Sequence, residues 1–311
     1  MSEPESESRD RRPEGDGWRA DSLARSRHSR LDAELTPPSP GVGEEKATEV
    51  CAGIARALLG DFAPALLLLP GTERRRAQAL LAYACTLFDF ARQTGVEGEK
   101  LAQINRWEFS LEAAFSGQAV GQPIFLRMAR ENERRRWPVD ALDDLAASAR
   151  RRALRRQPAT IADAEVEALS LGRAVASALL EKSLTAEVDA LASALVRLWS
   201  LQHLGSETGG KRCPLPASEV TEQHDGRYEP LQILDAARRE CQRIRSRLLR
   251  APRGLVDLPQ GYRRAALFSL LAALRLLTEI EDPETDLLKA PPRLGLGARI
   301  GFLLRARWVG R

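Results

Sequence analysis

Asp89 and Gln93 stand four residues apart in CTLFDFARQTG (85–95), inside a run whose apolar residues recur at helical spacing. Side chains at i and i+4 share one helix face, about 6 Å apart along the axis. Two carboxylates so placed would hold a magnesium ion, which requires hard oxygen ligands in octahedral geometry. Here one position is a carboxylate, while Gln93 offers an amide oxygen without charge. His203 and Glu207 repeat the spacing in HLGSE (203–207). Imidazole suits softer transition metals, so Asp89, His203 and Glu207 together could take manganese, zinc or iron. The plainer expectation is that Asp89 is a half-buried carboxylate paired with a nearby arginine. His203 and Glu207 would then be an ordinary stabilising pair on their helix.

Basic residues flank both stretches. Arg74, Arg75 and Arg76 open the run that leads to Asp89. Lys211 and Arg212 lie in GSETGGKRCPLPASEVTEQHDGRYEP (205–230), a long segment rich in Gly, Pro and polar residues. Long structureless loops in compact domains are often functional. Arginine serves phosphate, diphosphate and anionic lipid equally well, so charge alone does not choose among them. RENERRRWP (130–138) and RRRALRR (150–156) read as solvated faces. The acidic cluster Glu279, Glu281, Asp282, Glu284 and Asp286 could attract a cation, although a solvated helix end is the simpler reading.

The elements that must position these residues are helical. Aromatic residues make up 5% of the 311, so the core has to be built mainly from Leu and Ala, a composition that favours helix over sheet. Apolar spacing predicts helices over 46–59, 72–92, 98–116, 120–135, 138–155, 160–181, 185–205, 229–249, 258–281 and 294–308. Pro138 and Pro230 mark two of the starts. No segment alternates with period two for long enough to make a strand, and no repeat of fixed length appears. The expectation is an all-α, single-domain helical bundle over 47–311. Residues 1–46, dense in Arg, Asp, Glu, Ser and Pro, bury too little apolar surface to offset ordering entropy and read as a disordered tail.

Charge and cysteines narrow the function classes. The net charge is +4, with an isoelectric point near 9.1. With no finger or RNA-binding signature and no interleaved aromatics, nucleic acid is not an expected partner. Cys51, Cys85, Cys213 and Cys241 are far apart and form no CxxC pair, so they read as small core residues in a reducing compartment. The charged opening residues do not make a secretory signal, and no apolar run reaches the ~18 residues a bilayer span needs. A soluble, cytoplasmic protein is expected. ARIGFLLRARWVGR (298–311) is a basic amphipathic helix that could lie on an anionic membrane surface or pack on the bundle.

Several stretches resemble the squalene/phytoene synthase family, whose members join two prenyl diphosphates head to head. In CAGIARALLGDFAPALLLLPGTERRRAQALLAYACTLFD, residues Cys51, Phe62, Leu69, Pro70, Arg74, Leu81, Cys85 and Asp89 follow the family's order. Trp107, the SG at 116–117, Pro123, the WP at 137–138 and KRCPLP (211–216) echo its later elements. The resemblance implies the isoprenoid (terpenoid) synthase fold, a transferase of isoprenoid biosynthesis, and a magnesium cluster held by Asp-x-x-x-Asp on two facing helices. Asp89 and Gln93 would be the first motif here, and His203 and Glu207 the second, each incomplete. Asp89 and Glu207 would then be the catalytic candidates, with Arg74, Lys211 and Arg212 clamping the diphosphate. The family's aromatic residue on an intervening helix would align near Leu171. The resemblance therefore implies Mg2+ only if the chain is catalytic, and weak or no catalysis. The alternative is a pseudoenzyme that binds a prenyl diphosphate or isoprenoid lipid, or serves as assembly partner to an active synthase.

Overall fold

The computed structural model describes residues 43–93, 95–118, 121–154, 157–180, 184–209, 213–223 and 227–309. The tail expected over 1–46 lies outside the described residues as far as position 42. Helix α1 spans Glu44–Leu59, its first turn carrying Glu44 and Glu45, where acidic side chains complement the helix dipole. A 3-10 segment follows over Gly60–Leu68. Then come α2 (Gly71–Arg92), α3 (Glu97–Phe115), α4 (Pro123–Arg134), α5 (Val139–Leu154), α6 (Ile161–Leu180) and α7 (Ala186–Gln202). The chain continues through α8 (Leu204–Gly209), α9 (Pro230–Leu248), a 3-10 segment (Ala251–Asp257), α10 (Gln260–Glu281) and α11 (Leu296–Val309). Among the described residues the only β pairing is an isolated bridge between Glu222 and Tyr228, so the fold is all-α as expected.

Local chemistry sets the boundaries. Pro123 and Pro230 occupy first helical positions, where a missing N–H costs nothing. Thr185 Oγ1 accepts a 3.3 Å bond from the Val188 N–H and caps α7.

The helices pack around two large apolar centres, with a small third cluster of Ala55, Leu66, Leu69 and Ala77. In one, Trp107 of α3 sits among Tyr83 and Phe90 of α2 and Phe125 of α4, at ring-centroid distances of 6.3, 5.6 and 4.3 Å. The other gathers Leu198 of α7, Leu215 of the loop after α8, Ile244 of α9, and Phe268 and Leu277 of α10, all fully buried. Each such side chain contributes about 1.5–3 kcal/mol. Helix α6 lies so close to α7 that a Cβ on Gly172 would stand 2.8 Å from the Ala192 carbonyl carbon.

Several buried charges sit in networks. Arg76, 2% exposed, lies over the Trp137 ring at 3.6 Å and donates to the Arg135 and Arg136 carbonyls at 2.5 and 3.1 Å. Arg197 donates to Glu240 at 2.6 Å, and Arg243 joins Glu240 to Glu219. Arg197 also donates to the Pro214 carbonyl at 3.2 Å, and Gln157 to the Leu215 and Val220 carbonyls, which holds the loop after α8 against the bundle.

One sequence expectation needs correction. The helical stretch Glu44–Leu68 is long and apolar enough to cross a membrane by length and composition. In the fold its α1 part packs on α2 and α4, and its 3-10 part packs on α10.

Candidate functional site

A cavity of about 350 Å³ opens where the two centres fail to meet. Each wall is one helix stripe at three- and four-residue spacing. Ala77, Leu81, Ala84, Cys85, Phe88 and Arg92 come from α2, and Leu171, Val175, Ala176 and Leu179 from α6. Leu191, Leu195 and Trp199 come from α7, and Tyr262, Ala265 and Ser269 from α10. Phe62, Ala65 and Leu66 of the 3-10 segment complete it. The wall is apolar almost throughout, as a long hydrocarbon guest requires. Most of its polar atoms are satisfied within the protein. Tyr262 donates to Glu73 at 2.6 Å, Ser269 to the Ala265 carbonyl at 2.9 Å, and Trp199 Nε1 to the Leu58 carbonyl at 3.3 Å.

Arg92 is the exception and closes the polar end. Its guanidinium lies over the Trp199 ring, 4.1 Å from the centroid, a cation–π arrangement. Its Nη1 stands 4.0 Å from Asp89 Oδ1, and its Nε 3.4 Å from Glu207 Oε1. Glu207, 8% exposed, also accepts a short hydrogen bond from Arg152, which lies 4.0 Å from Glu167. The Nη2 of Arg92 is buried without a hydrogen-bond partner. Burial, and then the positive charge of Arg152, pull the Arg92 pKa below its usual value, against the opposite pull of Glu207 and Asp89. Beyond this cluster a second cavity of about 40 Å³ is lined by Arg152, Glu167, Glu207, Arg197 and Cys213, with Leu171 shared between the two.

Asp89 and Glu207, from different helices, thus converge on one arginine. Asp89 is half-exposed, and the Cys85 thiol donates to its Oδ2 at 3.7 Å. Gln93 ends α2, its N–H bonding back to the Asp89 carbonyl at 3.2 Å. His203 bonds through Nδ1 to the Trp199 carbonyl at 2.8 Å, its ring tilted against that indole. The Glu207 carboxylate turns to the two arginines. Arg74 lies fifteen residues before Asp89 on the same helix, about 22 Å away, and bonds the Leu69 carbonyl at 3.4 Å. Lys211 and Arg212 lie outside the described residues.

The family resemblance implies magnesium, and the described residues of this cluster do not fit it. A guanidinium lies between the two carboxylates that would have to share a dication, which would meet its positive charge. Among the described residues no group of three or more His, Cys, Asp or Glu side chains is placed to hold a metal ion. Three members of the acidic cluster at the end of α10 are drawn into ion pairs: Glu279 with Arg275, Glu281 with Arg245, and Asp286 with Lys289.

The residues that organise the site, Arg92, Arg152 and Trp199, were not singled out from sequence. Arg92 could have been found, because it lies three residues after Asp89 on the same helix turn. Arg152 was read as part of a solvated face; its side chain is 14% exposed and is held by Glu207. Arg76, at the start of α2, is likewise buried, against the Trp137 ring.

Among curated proteins no sequence matches the chain. Solved structures do. A dehydrosqualene synthase in complex with ligand superposes with a TM-score of 0.67 at 14% identity, covering 86% of this chain and 97% of that one. Squalene synthase HpnC from Alicyclobacillus acidocaldarius gives 0.61 at 19% identity, covering 77% and 95%. YisP from Bacillus subtilis subsp. subtilis strain 168 gives 0.58 at 14%, covering 86% and 100%. At these identities the likeness shows the fold. The squalene/phytoene synthase family model matches residues 60–298, most of the chain, and the chain belongs to that family.

Proposed function

We propose that this family member takes an isoprenoid chain into the apolar cavity and catalyses prenyl diphosphate condensation weakly or not at all. The observation that carries the reading is the Arg92 guanidinium lying between Asp89 and Glu207. Ionising an allylic diphosphate leaves a pyrophosphate bearing several negative charges, and a cluster of hard dications is the usual means of neutralising it. One guanidinium already shared by two carboxylates supplies far less positive charge. The cavity itself keeps the walls a lipid needs, so chain binding survives the loss of the metal ligands. In this role the protein would act as a prenyl-lipid-binding subunit or assembly partner beside an active synthase.

The test is incubation of the full chain with labelled farnesyl or geranylgeranyl diphosphate and magnesium or manganese. No pyrophosphate release above the protein-free rate is expected. Release at a rate that scales with enzyme and metal would overturn the reading.

Helix α11 supports a second element of the proposal, attachment to an anionic membrane surface. Leu296, Ile300, Leu304 and Trp308 recur every four residues along it and are all exposed, with Arg305 and Arg307 beside them. Phe302 and Leu303 pack inward, and Arg299 is tied to the buried Asp61. An apolar stripe flanked by arginine matches the interface of a bilayer carrying acidic headgroups. Co-sedimentation with vesicles of mixed phosphatidylcholine and phosphatidylglycerol is expected, and Leu304→Asp should abolish it. Equal pelleting of the variant would remove α11 from the account.

A further inference from the structure

We infer that the cavity seats a single isoprenoid chain of about fifteen carbons, tail stopped at Tyr262 and Leu179, with no room for the second chain that head-to-head condensation requires. The inference deepens the chain-binding reading above and rests on it. It holds for a charged or a neutral head group alike.

Length, volume and the far end of the cavity carry it. The α2 stripe runs from Ala77 to Arg92, fifteen residues or about 22 Å of helix axis. The α7 stripe runs from Val188 to Trp199, eleven residues or about 17 Å. A stretched fifteen-carbon prenyl chain is about 14 Å long at carbon–carbon bonds of about 1.5 Å, so it fits along these walls with its head group at Arg92. The volume admits one. A cavity of about 150 Å³ takes a benzene, six carbons, so at the same loading about 350 Å³ takes about fourteen. Two such chains would need about twice the space. Interiors are close-packed, and widening the cavity means parting helices already in contact, since α6 and α7 touch at Gly172 too closely to admit a Cβ.

Among the described residues the end away from Arg92 is lined by Ala77, Leu179, Leu180, Val188 and Tyr262. Tyr262 is tied there. Its hydroxyl donates to Glu73 at 2.6 Å and lies 3.2 Å from the Leu179 carbonyl oxygen, while Arg135 donates to both Glu73 carboxylate oxygens at 3.2 Å. The ring cannot swing aside without giving up the Glu73 bond, which makes it a stop for the tail.

The experiment titrates farnesol and geranylgeraniol into the full chain by calorimetry, with squalene as competitor. Farnesol is expected to saturate at one per chain, and squalene, with the carbons of two farnesyl chains, should not displace it. Geranylgeraniol offers more apolar surface and would bind more tightly in a cavity long enough for it. Here it is expected to bind at least about tenfold more weakly than farnesol, the penalty of overpacking. Leu179→Ala opens the far end while keeping the backbone carbonyl and should narrow that gap severalfold. Thermal melts verify folding, and Val188→Ala takes its place if that variant does not fold. Two farnesols per chain, displacement by squalene, geranylgeraniol binding as tightly as farnesol, or a gap unchanged in the opened variant overturns the inference and leaves chain binding standing. If neither alcohol binds, the chain-binding reading fails and takes the inference with it.

Discussion

Glu207 is the counter-ion of two guanidinium groups at once, and its carboxylate is almost wholly buried. Replacing it by Gln keeps the shape but leaves Arg92 and Arg152 beside each other with only the more distant Asp89 and Glu167, each at 4.0 Å, as counter-ions. Removing one partner of a buried ion pair is strongly destabilising, so Glu207→Gln should lower the unfolding free energy by about 3 kcal/mol, read from urea titration. A change near zero would mean that water screens the cluster. Glu240 makes a pH prediction. Burial opposes its ionisation, but the hydrogen bond and charge of Arg197, then those of Arg243, outweigh it and hold the carboxyl below the usual range. A folded-state value below the unfolded one means the stabilisation is complete above the unfolded carboxylate range, about pH 4–5. It is lost as pH falls through the folded value. Urea midpoints should therefore drop on acidification below about pH 5, and Glu240→Gln should flatten that drop. The residue types at 89, 93, 203 and 207 were legible in the sequence, and so was an arginine partner for Asp89. That the partner is Arg92, and that it reaches Glu207 as well, depends on two helices meeting.

At the scale of elements, the long helices were legible because their apolar residues repeat with the helical period. Shorter pieces were not. Helix α8 has six residues and no periodicity to read; Gly205 packs so tightly there that a Cβ would stand 2.2 Å from the Leu288 carbonyl oxygen. The two 3-10 segments likewise owe their form to the helices they pack against. The α6–α7 contact yields a prediction. Gly172→Ala gains about 1 kcal/mol of helix propensity but drives a methyl into the α7 backbone. Overpacking of this kind costs about 1–3 kcal/mol, so the variant should melt at a lower temperature than the native protein. Ala176 of α6 lines the open part of the cavity instead. Ala176→Phe should fold with little loss of stability and reject a fifteen-carbon lipid, as titration calorimetry would report. Unchanged lipid affinity would place the guest elsewhere.

For the molecule as a whole, the division into two packed centres makes the cavity, and the cysteines can map it. Burial raises the thiol of Cys213 to about 11 and that of Cys241 to about 12, which keeps both protonated and unreactive at neutral pH. Cys85 is partly exposed and belongs to the cavity wall. Alkylation with N-ethylmaleimide at pH 7.5, followed by mass spectrometry, should label Cys85 ahead of Cys213 and Cys241. A bound prenyl lipid should slow labelling of Cys85 severalfold. A Cys85 rate indifferent to saturating lipid would show that the chain is not held between α2 and α6.

The amino-acid sequence by itself determined the helical class, the extent of the long helices and the family, because periodicity, composition and the order of short motifs are properties of the chain alone. Gln93 and His203, at positions where the resemblance implies metal ligands, are likewise read directly. Which charges surround those positions was decided only in three dimensions. Ion pairing depends on distances between side chains far apart in sequence, and Arg92, Arg152 and Glu207 come together only when α2, α5 and α8 pack.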